Sequence, residues 1–306
     1  MSGRDLVVLG TASQAPTRYR NHNGYLLRWD GYGVLFDPGE GTQRQMVLAG
    51  VPASAIDRIC LTHLHGDHCL GLPGVLGRMS LDRLERVVEV FFPAESRETF
   101  DHLANASIGR RTIDLRPRPS GEGPLSDDPP LRLLARRLEH SVPTLGWRLE
   151  EPDGRTMLPA RLDAAGVQGP DIARLQRDGS LTTPAGTVRL DDVSVARPGQ
   201  TFAFVMDTRL CDAAVELAAG ADLLVCESTF LSADQDLATA YGHMTAAQAA
   251  WLAREAGVRR LVLTHFSQRY TDDRLFLAEA APIFPDVVVA RDLDVVPLPA
   301  RRPTER

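Results

Sequence analysis

Short apolar runs broken by glycine, asparagine and proline open the chain, and residues 6–10, 24–29 and 33–37 read as three consecutive strands. Residues 39–48 switch to helical composition, 58–62 return to a strand, and 85–92 give another after a helix-like interval. The second half repeats this style. Strand-like 201–206, 222–226 and 260–264 alternate with helix-like 212–219 and 245–255. The alternation defines an α/β protein. Two such halves, each a sheet covered by helices on one side, predict sheets packed face to face with helices outside, an αββα sandwich. We expect one domain over 1–299 and a frayed tail over 300–306. Two segments interrupt the pattern. Residues 117–130 (PRPSGEGPLSDDPP) are rich in turn formers and acids and read as an exposed loop. Residues 151–186 have no clear period, and structureless stretches of that length inside a compact domain are usually functional.

Composition narrows the class. With 43% hydrophobic and 24% charged residues, the chain has the balance of a soluble globular protein. No apolar run is long enough to span a membrane. The N-terminal residues run straight into a strand pattern, without the apolar stretch of a secretory signal, so a cytoplasmic location is expected. Cys60, Cys69, Cys211 and Cys226 are scattered, form no CxxC pair and read as reduced core thiols. Every basic side chain is arginine; the chain contains no lysine. Guanidinium groups suit bidentate phosphate recognition, yet the net charge of −6 excludes a uniformly basic surface. A nucleic-acid partner would need a local arginine patch.

The strongest local signal is His63-Leu64-His65-Gly66-Asp67-His68, which holds three of the eight histidines within six residues. Imidazoles and a carboxylate at i, i+2, i+4 and i+5, just past a strand, are ligand types that zinc accepts readily. Four side chains cannot complete two metal shells, so further ligands must come from other strand ends. His140 follows the apolar run 131–138, Asp207 ends 202–206 and His265 ends 261–264. Taken alone, a strand-end aspartate is usually a turn former and a lone histidine a hydrogen-bonded structural residue.

This ordered set resembles the ligands of metallo-β-lactamase-fold hydrolases. The resemblance implies that His63, His65 and His140 hold one metal, that Asp67, His68 and His265 hold another, and that Asp207 bridges them. It also implies the αββα sandwich. Further strings are similar to the ribonuclease Z family in its short form. They are Pro16-Thr17-Arg18-Tyr19-Arg20-Asn21, with Arg18 where the family has lysine, and Phe36-Asp37-Pro38-Gly39-Glu40-Gly41-Thr42-Gln43, with Pro38 where it more often has cysteine. His140-Ser141-Val142-Pro143, Asp207-Thr208-Arg209, Gly242-His243-Met244-Thr245 and His265-Phe266-Ser267-Gln268-Arg269-Tyr270 complete the match, position 244 departing from the commoner small residue.

The resemblance implies a metal-dependent endoribonuclease that removes the 3′ trailer of precursor tRNA and leaves a 3′ hydroxyl. It implies two zinc ions per subunit, although manganese and other divalent ions share these ligands. Asp67 is then both ligand and proton acceptor, and His243 the general acid for the departing 3′ oxygen. Glu227, which ends the apolar run 223–226, is expected from that strand-end position alone to orient His243. Ser267 and Arg269 are expected to hold phosphate, and Arg18 and Arg20 to contact the acceptor stem. The family further implies a homodimer and a protruding, tRNA-gripping arm, for which 151–186 with Gly169-Pro170 is the candidate. In that stretch Arg155, Arg161, Arg174 and Arg177 are offset by Glu151, Asp153, Asp163, Asp171 and Asp178. The acidic balance would also suit a same-fold phosphodiesterase or arylsulfatase-like hydrolase of small molecules. A non-catalytic RNA-binding relic is a third reading, but a relic would be expected to lose ligands.

Overall fold

The computed structural model describes residues 3–109, 111–184 and 186–302. Among the described residues, fourteen strands form two seven-stranded sheets. The first runs in the order Val295–Pro297, Arg4–Gly10, Gly24–Trp29, Tyr32–Phe36, Arg58–Cys60, Val87–Pro93, Asp114–Ser120. The second runs Val287–Val289, Leu261–Thr264, Leu223–Glu227, Thr201–Val205, Thr144–Glu150, Arg132–Leu138, Gly123–Ser126.

Alternation along each strand decides which layer a side chain joins. Leu6 and Val8 face the second sheet, while Val7 and Leu9 face helices Thr42–Leu48 and Leu72–Leu81. In the second sheet Phe202 and Phe204 face inward, whereas Ala203 and Val205 meet helices Asp212–Ala218 and Ala246–Glu255. The inner layer is rich in aromatics: Phe36 stacks on Phe204 at 4.7 Å between centroids, and Tyr25 meets Phe204 edge-on at 5.3 Å. Helix, sheet, sheet, helix is the expected αββα order.

Two segments differ from expectation. Residues 117–130, read as a loop, contribute strands Asp114–Ser120 and Gly123–Ser126, the outermost strand of each sheet. Pro117 and Pro119 are tolerated because an edge strand needs hydrogen bonds on one side only. Residues 151–186, read as aperiodic, belong to a second compact unit formed by the described residues of 150–200 together with 300–302. That unit pairs Gly154–Met157 with Ser194–Arg197 and Ser180–Thr183 with Gly186–Arg189. Its helix Pro170–Asp178 supplies Leu175 to a small core with Leu162, Val167, Leu181 and Val193. Within the unit, Arg301 of the expected tail grips Glu151 at 2.6 and 2.7 Å; 303–306 lie outside the described residues.

Candidate metal centre

Strands Tyr32–Phe36 and Arg58–Cys60 run parallel, as do Thr201–Val205, Leu223–Glu227 and Leu261–Thr264. Parallel strands end at one edge, where functional loops collect. There the first set delivers Asp37, Thr62 and His63, and the second Asp207, Glu227 and His265. Asp37, Asp207 and His265 each leave their strand in a left-handed conformation, with φ of 42°, 43° and 61°. Aspartate and histidine visit this region more often than other non-glycine residues, and the turn re-aims the side chain. Gly39 lets the following loop close over the motif, since a Cβ there would lie 2.1 Å from the Asp67 carbonyl oxygen.

The seven expected ligands come together. One potential ligand atom from each of His63, His65, His140 and Asp207 lies within 4.8 Å of the others, and Asp67, His68 and His265 form a second such group. Asp207 stands between them. Its Oδ2 is 3.6 Å from His63 Nε2, 3.7 Å from His140 Nε2 and 3.4 Å from His68 Nε2, and its Oδ1 is 3.2 Å from His265 Nε2.

The outer edges of the rings show which nitrogen each offers. His68 Nδ1 donates to Asp37 Oδ2 at 2.9 Å. His63 Nδ1 pairs at 3.0 Å with Thr62 Oγ1, which itself donates to Asp37 Oδ2 at 2.6 Å. His265 Nδ1 pairs at 2.8 Å with Thr229 Oγ1, which donates to Glu227 Oε2 at 2.6 Å, and His140 Nδ1 meets the Gly242 carbonyl at 3.1 Å. These four rings are therefore fixed with Nε2 inward. His65 is reversed, its Nδ1 lying 3.0 Å from His63 Nε2 and 3.4 Å from His140 Nε2.

His63 and His140 thus both turn an Nε2 lone pair toward His65 Nδ1, which can donate one proton to only one of them well, whereas a cation among the three would serve all. Asp207 Oδ1 and His265 Nε2 are buried and make no hydrogen bond. Buried polar atoms normally have partners, so this N/O set fits a divalent ion. Electrostatics agree with that fit. Burial holds His63, His65 and His140 below the usual imidazole range, and surrounding imidazoles keep Asp207 and Asp67 ionised against the opposing effect of burial. His68 is the exception: burial pulls it down, but Asp207 and Asp67 outweigh burial and hold it above the usual range.

His243 lies beside this cluster. Its Nδ1 pairs with Glu227 Oε1 at 2.9 Å. Glu227 is fully buried and also accepts from the Thr208 and Met244 amides at 2.8 and 3.2 Å, so its carboxylate is fixed. Burial opposes a charged imidazole at 243, but the carboxylates of Glu227 and Asp207 raise its pKa to about 9. A cleft of about 430 Å³ opens over the centre and is lined by Asp67, His140, His243, Tyr241, Ser267 and Arg269.

The two loop arginines part company. Arg20 is buried, ion-paired with Asp273, donating to the Tyr270 carbonyl at 2.9 Å and lying over the Phe266 ring. It braces the loop. Arg18 is exposed against the Tyr19 ring, beside a second cavity of about 500 Å³ that shares Gln268 with the first. Sequence reasoning gave no role to Asp37, Thr62 or Thr229. The available signal was that Asp37 and Thr229 follow strand ends just as Asp207 and His265 do.

Comparison with known proteins gives the family. The family model described as "Metallo-beta-lactamase superfamily" matches residues 17–210, and a "Beta-lactamase superfamily domain" model matches 165–266. Ribonuclease Z of Streptomyces coelicolor is 58% identical over 305 residues, covering 99% of this chain and 100% of the relative. Ribonuclease Z of Chlamydia pneumoniae is 44% identical over 300 residues, covering 98% of each. The crystal structure of human tRNase Z, short form, superposes with a TM-score of 0.70 at 27% identity, covering 97% of this chain and 100% of that one. Fold and centre define a metallo-β-lactamase-type hydrolase. Within that superfamily the chain belongs to the ribonuclease Z family.

Proposed function

We propose that this chain is an endoribonuclease that removes the 3′ trailer of precursor tRNA, leaving a 3′ hydroxyl. The observation that carries the reading is the pairing of a two-group His/Asp centre with a separate, carboxylate-oriented imidazole in one cleft. Full-length identity to ribonuclease Z relatives supports the substrate. His63, His65 and His140 would hold one zinc ion, Asp67, His68 and His265 a second, and Asp207 both. Bound there, the metals would supply Lewis acidity, lowering the pKa of water and stabilising charge on the scissile phosphate.

The rest of the chemistry falls to the chain. Asp67, at the cleft wall, accepts the proton of the attacking water. His243 donates a proton to the departing 3′ oxygen, and Glu227 holds its ring with Nδ1 outward so that Nε2 is the edge left for the substrate. Ser267 and Arg269 line the cleft as phosphate contacts. Arg18 meets the acceptor stem, and Arg20 serves by holding that loop in place.

The unit over 150–200 is the candidate arm. Four of its six arginines are already engaged by carboxylates, Arg155 by Asp191, Arg174 by Asp171, Arg177 by Asp178 and Arg197 by Glu151. It would therefore dock tRNA through shape and backbone more than through free charge. A homodimer would bury Val47, Leu48, Leu70 and Leu81, which are 52% to 78% exposed on or beside two helices that pack together. No helix among the described residues is long and apolar enough to cross a membrane. A precursor-tRNA substrate supports a cytoplasmic location.

Cleavage of a precursor tRNA with mapped ends tests the reading: a single cut after the discriminator nucleotide is expected, and its abolition in His65→Ala with an unchanged circular dichroism spectrum. Turnover of an aryl phosphodiester with no cut in precursor tRNA would instead make this a small-molecule hydrolase. Elemental analysis of protein purified without chelator should find two zinc ions per chain. Asp37→Asn should weaken metal retention about 10- to 100-fold in chelator competition, because His68 loses its anchor; unchanged retention removes that role. Glu227→Gln should slow cleavage of precursor tRNA on the order of 10²-fold but slow an aryl phosphodiester, whose leaving group needs no proton, less than about 10-fold. Equal losses on both substrates would show that Glu227 does not act through the acid. Sedimentation velocity should give twice the chain mass, and Leu81→Asp the mass of one chain; a monomeric wild type would remove the dimer.

A further inference from the structure

Tyr241 is a large aromatic residue that is 58% exposed although it lines the reaction cleft. Aromatic side chains ordinarily bury their rings, so one left open in a polar cleft offers its face to a ligand. The ring is not loose. It lies nearly parallel to Phe230, at 13° with centroids 6.5 Å apart, and Phe230 is buried. Phe230 in turn meets the His243 ring at 6.1 Å. Tyr241 therefore sits one aromatic ring away from the imidazole assigned as proton donor. The backbone fixes the relation: Gly242 between them takes φ of 75°, ends helix Gln235–Tyr241 and gives its carbonyl to His140.

The polarity of the cut decides which nucleotide comes here. His243 protonates the 3′ oxygen of the last nucleotide retained in the tRNA, so that nucleotide's sugar lies against the imidazole. Its base, unpaired at the end of the acceptor stem, then has the Tyr241 face within reach. Unpaired bases are commonly held by stacking on tyrosine, which tolerates any base because every base has a π face. Resting on the tRNA-cleavage reading, we infer that Tyr241, backed by Phe230, is the stacking platform for the base of the nucleotide that carries the leaving 3′ oxygen. It is a substrate-positioning contact, and the proton transfer itself remains with His243.

The test compares wild type, Tyr241→Phe and Tyr241→Ala on a precursor tRNA and on the same precursor with an abasic sugar at the last retained nucleotide. Tyr241→Ala should lower kcat/KM on the normal precursor about 5- to 100-fold, and Tyr241→Phe should stay within about 2-fold of wild type. In wild type the abasic site should cost a similar factor. On the abasic precursor, Tyr241→Ala and wild type should then be nearly equal, since the two changes remove one contact. A loss in Tyr241→Ala that persists undiminished on the abasic precursor, or no loss at all, overturns the stacking role. Failure of wild type to cut any precursor tRNA would instead overturn the functional reading on which it rests.

Discussion

The fold exists to make imidazole edges converge. Five histidines and two carboxylates point polar atoms into a space a few ångströms across, so the rings must keep one orientation, and four of the five are held by the outer nitrogen. That requirement runs outward through the structure. Asp37 serves two rings at once, directly for His68 and through Thr62 for His63. Glu227 reaches His265 through Thr229 while holding His243 itself, so His243 and the His/Asp cluster share one buried carboxylate. Three of the strand-end residues accept left-handed backbone, at roughly 1–3 kcal/mol each. Such strain persists only on a rigid support, and here the support is two parallel strand sets whose inner faces are closed by Phe36, Phe202 and Phe204.

How much of this was legible in the sequence follows from how local each signal is. Strands buried on both faces produce unbroken apolar runs, so residues 201–206 and 222–226 announce themselves. Edge strands lack that signature, and Arg-Pro-Arg-Pro in Asp114–Ser120 has the composition of a turn because one of its edges faces no partner. The 151–186 stretch hid its order differently, since elements of four to nine residues are too short to show a period.

The same reasoning applies within the site. His63 to His68 are neighbours in sequence, and His140, Asp207 and His265 each follow an apolar run, so position alone gathers them. Asp37 and Thr229 also follow strands, but a carboxylate or hydroxyl there is equally suited to a turn, and their value lies in acceptor geometry that only folding creates. Arg20 shows the reverse error. In a loop it looked free for substrate, yet its partner Asp273 lies 253 residues further along the chain.

Charge bears on what such a protein does with RNA. A chain of net charge −6 without lysine cannot rely on a broad cationic field, and most of its surface arginines are already committed to carboxylates. A paired guanidinium must give up an existing partner before it gains a phosphate, so it adds little to affinity. The guanidinium groups of Arg18 and Arg269 stand instead beside two cavities at the strand edge that share Gln268 in their walls. Their charge therefore acts on a phosphodiester held at that edge and, screened over about 10 Å in salt solution, little beyond it.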